Sequence, residues 1–358
     1  MPAKHVSVDF ERRKRSLFEA ALQLPETRRL AFVNQQTTVD PDLRTAVLRM
    51  LAQAATTQGI LDTPLHPKDA AEGAPPSQIG PYAVVRSLGT GGMGGVYCCR
   101  HPATGDLVAV KVIHTALRGT RFVERFATER DILTRLRHPN VCRILDGGVA
   151  EHGTPFIVME QVDGRPLDEF CRSLPLAAIL RLFSQILAGV EYFHRQQIVH
   201  RDLKPANVLV TASGQVRILD FGIAKIIDHD QGFTGHGPTR STAPIMTVRY
   251  ASPEQLQGRL SGRASDIYSL GVMLYELLSG RHPFEEEYAL GPTRLLSAMA
   301  RRTPAPPSSF QGPRALTRAV DVIVLSALEY DPMRRYRSAG DFLDGVRRCL
   351  EATAAFGA

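Results

Sequence analysis

The sequence predicts an α+β body in two lobes, strands first and helices after, preceded by a small helical unit. Alternating apolar and polar residues begin at Tyr82 and recur in short runs to residue 160. Beyond Leu174 the apolar spacing becomes helical. A chain of 358 residues has room for one large domain and an appendage. Its 44% apolar and 22% charged residues are ordinary globular composition, so a full-sized core is available.

Residues 1–55 carry three short helical patterns. Phe10, Leu17, Phe18, Ala21 and Leu22 give the first, over residues 8–24. Pro25, suited to a first helical turn, opens the second, which runs through Leu30 and Phe32. The third follows Asp40-Pro41, with Leu43, Val47, Leu48 and Leu51 on one face. A unit this small is not robust alone. Residues 56–80, rich in Thr, Gly, Ala and separated prolines, read as a flexible tether.

The main domain is assigned to residues 81–352, with a tail at 353–358. Its first strands are expected at Tyr82–Ser87, Gly95–Arg100 and 106–113, joined by glycine-bearing turns. A helix is expected over 121–136, then strand-like pieces at 141–149 and 155–160. Helices follow at 175–196, 265–279, 316–328 and 338–352.

The net charge of +7 is modest, and the basic run Arg12-Arg13-Lys14-Arg15 reads as a solvated helix face, not a nucleic-acid patch. The five cysteines, Cys98, Cys99, Cys142, Cys171 and Cys349, are odd in number and lack a Cys-x-x-Cys pair or a histidine at zinc spacing. They read as reduced thiols. The first residues lead into charge and not into an apolar run, so no signal peptide is expected, and nothing approaches 18 consecutive apolar residues. The expectation is a soluble, cytoplasmic chain with no membrane span and no nucleic-acid partner.

The chemistry is carried by four motifs. Leu88-Gly89-Thr90-Gly91-Gly92-Met93-Gly94-Gly95-Val96 holds Gly89, Gly91 and Gly94 in G-x-G-x-x-G order. A dinucleotide site uses the same spacing, but it needs a helix to open after the last glycine, and here a strand follows. A hairpin without side chains can lie over phosphates and offer them backbone N–H groups. Val108-Ala109-Val110-Lys111 then sets a lysine in an apolar strand, where it needs phosphate oxygens or a carboxylate, with Glu129 the candidate.

The third motif is His200-Arg201-Asp202-Leu203-Lys204-Pro205-Ala206-Asn207. Asp202 can accept the proton of an attacking hydroxyl, Lys204 can neutralise charge on a transferring phosphoryl group, and Asn207 offers an oxygen ligand for Mg²⁺. The fourth, Asp220-Phe221-Gly222, follows a strand at Val216–Leu219 and suits a metal ligand on a movable segment. Ala251-Ser252-Pro253-Glu254 closes that segment.

Together, in this order and spacing, these motifs resemble the eukaryotic-type protein kinases, most closely their bacterial serine/threonine branch, over about residues 82–350. The resemblance implies the two-lobed protein kinase fold, with an antiparallel sheet and one helix in the N-lobe and a mainly helical C-lobe. It implies ATP and Mg²⁺ as cofactors and proteins with Ser/Thr acceptors as partners, and it allows a homodimer for trans-autophosphorylation. By that likeness Gly89–Val96 cover the nucleotide, and Val96, Ala109 and Leu209 sandwich the adenine ring. Lys111 holds the α- and β-phosphates while paired to Glu129. Met159 limits the back pocket, and the Glu160 carbonyl and Val162 N–H meet the adenine edge. Asp202 matches the catalytic base, and Asn207 and Asp220 match the metal ligands.

Lys204 and Thr247 are the serine/threonine-type pattern, and Thr239 and Ser241 sit at the spacing where related kinases autophosphorylate. Leu133, Ile144, His200 and Phe221 are expected to stack between the lobes. Asp266 is expected to cap the catalytic loop, and Glu254 to pair with Arg335. Departures from the family pattern, at Met246, Ser252 and Gly95, remove no catalytic group. The alternative, a nucleotide-binding scaffold without catalysis, is opposed by the presence of Lys111, Glu129, Asp202, Asn207 and Asp220.

Overall fold

The structure is a computed structural model. It describes residues 76–91, 94–113, 126, 130–150, 153–219, 248–259, 261–310 and 316–355, with isolated positions before residue 48. The chain divides into two compact units, Met1–Gly73 and Ala74–Ala358. In the first, Leu17, Phe32–Asn34, Leu43 and Val47 are helical. The Asp40 carboxylate accepts the Leu43 N–H at 3.1 Å, which is an N-cap for the helix expected after Asp40-Pro41.

The second unit opens with a six-stranded sheet in the order β1-β2-β3-β4-β6-β5. The strands are β1 (Gln78–Ile79), β2 (Tyr82–Gly91), β3 (Gly94–Arg100), β4 (Leu107–Val112), β5 (Ile144–Ala150) and β6 (Thr154–Glu160). All neighbours pair antiparallel. Two details differ from the sequence reading. Gln78–Ile79, inside the stretch read as tether, pair with β2, because Ile79 finds a buried place under the sheet. The strand expected from residue 141 starts at Ile144, and Val141 instead makes a single parallel bridge to Ile218.

Strand alternation sorts the sheet into two faces. Val108, Val110 and Val112 of β4 join Phe156 and Val158 of β6 in a small outer core with Tyr82 and Cys99. The intervening Ala109, Ile157 and Met159 belong to the main core, which continues into the helices. Lys111, two residues from Ala109, therefore sits on the inner face.

A second sheet joins β7 (Arg165–Pro166), β8 (Val208–Val210) and β9 (Val216–Ile218). Around it pack α1 (Leu167–Cys171), α2 (Leu176–Arg195), α3 (Pro253–Leu256), α4 (Arg263–Ser279), α5 (Glu285–Ala289), α6 (Pro292–Arg301), α7 (Arg318–Ala327) and α8 (Ala339–Ala355). The four long helices foreseen from spacing lie within a few residues of their expected bounds. Helix α4 is the hub, with 13 of its residues buried, and it ends at Gly280 with φ 72°, a conformation that favours glycine. Helix α2 has the length and apolar composition to cross a membrane. Its apolar face, from Ile179 to Phe193, is buried in the core, where each such side chain contributes about 1.5–3 kcal/mol.

Candidate active site

The loop between α2 and β8 carries Asp202, and its shape is set from below by α4. The Asp266 carboxylate accepts the backbone N–H groups of His200 and Arg201, each at 2.8 Å, as expected from sequence. His194 Nε2 adds a third bond to Asp266 at 2.9 Å, a partner that sequence reasoning missed. Arg201 is thereby held at φ 65°, a left-handed conformation that a side chain with a Cβ rarely adopts. The imidazole of His200 is fully buried, with Nε2 donating to the Leu219 carbonyl at 2.9 Å and Nδ1 accepting from the Asp202 N–H at 3.4 Å.

The loop then closes on itself. Asn207 Nδ2 donates to the Asp202 carbonyl at 2.8 Å and to its carboxylate Oδ2 at 3.3 Å. Lys204 Nζ lies 3.0 Å from the same Oδ2. Pro205, whose missing N–H costs nothing at a first helical position, opens a 3₁₀ turn to Asn207. Both Asn207 bonds use Nδ2, so Oδ1, the atom able to bind a hard cation, stays outside them. The Asn207 carbonyl accepts the Leu219 N–H at 2.8 Å, which brings the end of β9 beside this loop.

In the first sheet, β2 and β3 meet at a glycine tip where Gly91 faces Gly94, the latter at φ 138°. Val96 stands opposite Lys111, and Ala109 opposite both Cys98 and Met159. Val96 and Val162 pack half-buried against the main core that contains Ala109 and Met159. Leu209, half-buried on β8, pairs with Pro166 and Arg217. Leu88 is exposed. The segment leaving β6 is anchored through Glu160, whose N–H donates to the Arg143 carbonyl at 3.0 Å and whose carboxylate accepts the Arg143 N–H at 3.1 Å. The Cys142 thiol lies 3.6 Å from the Glu160 carbonyl, and Cys98 Sγ 3.2 Å from Gln161 Oε1.

The structure thus brings Asp202, Lys204 and Asn207 together and sets Val96, Ala109 and Lys111 on one face of the sheet. Gly92, Met93, Glu129, Asp220, Phe221, Thr234, Thr239, Ser241, Thr242, Met246 and Thr247 lie outside the described residues, as does the side chain of Thr90. Of the expected stack between the lobes, Leu133, Ile144 and His200 are buried.

A family model described as protein kinase domain matches residues 82–343. The chain belongs to the protein kinase domain family. A probable serine/threonine-protein kinase of Streptomyces coelicolor is 40% identical over 78% of this chain and 42% of its own length. Serine/threonine-protein kinase PrkC of Bacillus subtilis is 33% identical over 76% of this chain and 41% of its own length. The chain spans less than half the length of either relative. The crystal structure of the Mycobacterium tuberculosis PknI kinase domain superposes with a TM-score of 0.57 at 27% identity, covering 76% of this chain and 97% of that one.

Below the loop that carries Asp202, Gln255 Nε2 donates to the Arg201 carbonyl at 3.1 Å. Gln255 also completes a capping box with Ser252, the residue that departs from the family's usual alanine. A small cavity lies here, lined by Asp202, Lys204, Tyr250, Ala251, Gln255 and Ser269 among others. Beside it, a polar cluster joins Arg249 and Tyr250 to Glu276 of α4. Sequence reasoning passed over this cluster. Its members lie some 26 positions apart and no local pattern links them.

Proposed function

We propose that this chain is a serine/threonine protein kinase that transfers the γ-phosphoryl group of Mg·ATP to Ser/Thr hydroxyls of other proteins. The observation that carries the reading is the Asp202 carboxylate, oriented by Asn207 Nδ2 at 3.3 Å and Lys204 Nζ at 3.0 Å in a loop pinned by Asp266. A carboxylate so held accepts the proton of an acceptor hydroxyl entering from the cavity shared with Tyr250 and Ala251. Lys204 faces the charge that develops on the transferring group.

In this reading the β2–β3 hairpin from Leu88 through Gly89, Gly91, Gly94 and Gly95 to Val96 lies over the nucleotide, with Lys111 below it toward the phosphates. Val96, Ala109 and Leu209 hold the adenine ring, and the backbone of Glu160 and Val162 reads its edge. Lys111 is steadied by Glu129. Asn207 Oδ1 and Asp220 supply oxygen ligands for Mg²⁺, whose chemistry is to neutralise and orient the phosphate oxygens. Thr239 and Ser241 are autophosphorylation sites, reached from a second copy. Supply of ATP puts the domain in the cytoplasm. The serine/threonine kinases among the relatives support the acceptor class.

The test is transfer from radiolabelled ATP with Mg²⁺ to the chain itself and to a basic protein. Label on Ser/Thr should fall by about 10²–10⁴-fold in Asp202→Ala, in keeping with the loss of a general base. Equal label in wild type and variant, or ATP binding without any transfer, overturns the reading in favour of a nucleotide-binding regulatory domain.

A further inference from the structure

Arg201 sits at φ 65°, and a residue with a Cβ stays in that region only when its surroundings over-determine it. Both polar groups of its backbone are held by side chains from other elements. Its N–H donates to Asp266 Oδ1 of α4 at 2.8 Å, and its carbonyl accepts from Gln255 Nε2 of α3 at 3.1 Å. That carbonyl belongs to the peptide bond leading into Asp202. At the other end of the same peptide, the Asp202 N–H reaches His200 Nδ1 at 3.4 Å, a long bond. Gln255 is therefore the closer of these two holds on the plane from which the Asp202 side chain departs.

The Gln255 amide is fixed at both ends. Its Oε1 accepts the Ser252 N–H at 2.9 Å, which leaves Nε2 facing the Arg201 carbonyl and settles which way the amide points. The buried Ser252 hydroxyl accepts the Gln255 N–H at 3.4 Å in return. Glu254, the preceding residue, is locked to Arg335, so α3 is a firm base for the amide. Gln255 also lines the cavity that holds Asp202 and Lys204. A capping box needs only an acceptor on this side chain, and a glutamate serves there as well as a glutamine. The amide alone can also donate, and its donated bond is the one that reaches the loop.

We propose that Gln255 is a positioning residue for the transfer reaction: through the Arg201 carbonyl it fixes the peptide plane that aims the Asp202 carboxylate at the acceptor hydroxyl. The inference rests on the reading of Asp202 as the proton acceptor and adds the group that sets its direction. The segment closing at Ala251-Ser252-Pro253-Glu254 then acts on the rate through the bond from Gln255 to Arg201. Losing that bond frees the Arg201–Asp202 peptide to turn and lets Arg201 relax from its positive φ. The groups proposed to bind ATP are left untouched.

The experiment sets Gln255→Glu against Ser252→Ala. Gln255→Glu keeps an acceptor for the Ser252 N–H and turns a carboxylate oxygen toward the Arg201 carbonyl. Its kcat for a Ser/Thr peptide should fall by about tenfold while KM for ATP stays level, and it should melt no lower than Ser252→Ala. Ser252→Ala removes the cap and should melt about 2 °C below wild type with kcat unchanged. A role in folding alone would move both quantities together. Amide hydrogen exchange supplies a readout without catalysis. Exchange across residues 200–207 should quicken by about tenfold in Gln255→Glu and keep the wild-type rate in Ser252→Ala. If no protein transfers phosphate but exchange quickens in Gln255→Glu alone, the kinase reading fails and the hold on the loop stands. Unchanged exchange or unchanged kcat in Gln255→Glu overturns the proposal, as does an equal loss of kcat in Ser252→Ala.

Discussion

Arg335 and Glu254, 81 residues apart, meet in a bidentate ion pair with N–O distances of 2.8 and 2.9 Å. The pair is closed on every side. Ser265 donates to Glu254 at 2.7 Å, and the guanidinium also donates to the carbonyls of Ala264, Glu329 and Tyr330 while lying over the Tyr268 ring. Burial by itself would raise the Glu254 pKa, but the bonds from Arg335 and Ser265 prevail and hold it below the usual carboxylate range.

Cutting this pair on one side should be expensive. Arg335→Met leaves Glu254 buried without its counter-ion, and denaturant unfolding should register a loss of about 3–5 kcal/mol. Because Glu254 titrates lower in the folded chain, its stabilisation is present above the unfolded carboxylate pKa and fades as pH falls through the folded one. Glu254→Gln should flatten that acid limb.

His282 should govern a second, milder pH window. It is 3% exposed, and burial lowers its pKa from 6.5 to about 4. Its ring nitrogens bond the Arg249 carbonyl and the Phe284 N–H. A histidine kept neutral stabilises the fold above its unfolded pKa, and the contribution drains away as pH drops from 6.5 toward 4. The full loss is on the order of 3 kcal/mol. Unfolding measured across that range should show a shallower decline in His282→Gln.

Asp266 should matter to rate as much as to stability. Asp266→Ala strands the N–H groups of His200 and Arg201, each costing about 1–3 kcal/mol, and releases Arg201 from its positive φ. Steady-state kinetics should show a fall in kcat larger than any rise in KM for ATP. The reason is that the loop carries Asp202 and none of the strands proposed to bind adenine. Asp266→Asn, which keeps acceptor capacity on one atom, should be intermediate.

Gly271 should resist even a methyl group. A Cβ there would stand 2.9 Å from the Cβ of Ala327 and 3.3 Å from its backbone, where α4 and α7 press together. Gly271→Ala should lower stability by about 1–3 kcal/mol, seen as a drop in melting temperature without a change in KM.

The sequence by itself determined the segments proposed to carry the chemistry. Strand alternation from Tyr82, the glycine hairpin and the five-residue span from Asp202 to Asn207 were legible because local spacing or a motif encodes them, whereas the pairing of Glu254 with Arg335 was expected only from the family resemblance. Short helices such as Glu285–Ala289 and the strand Gln78–Ile79 were not, since segments of a few residues carry too little periodicity to stand out. Only the tertiary structure decided which distant groups share a buried space. The bond of His194 to Asp266 and the joining of Arg249, Glu276, Glu285 and Tyr288 are of this kind. The physical reason is desolvation. A carboxylate taken out of water must find donors wherever packing supplies them, and for Asp266 and Glu276 of α4 they come from His194 and Arg249, parts of the chain that no spacing rule connects to it.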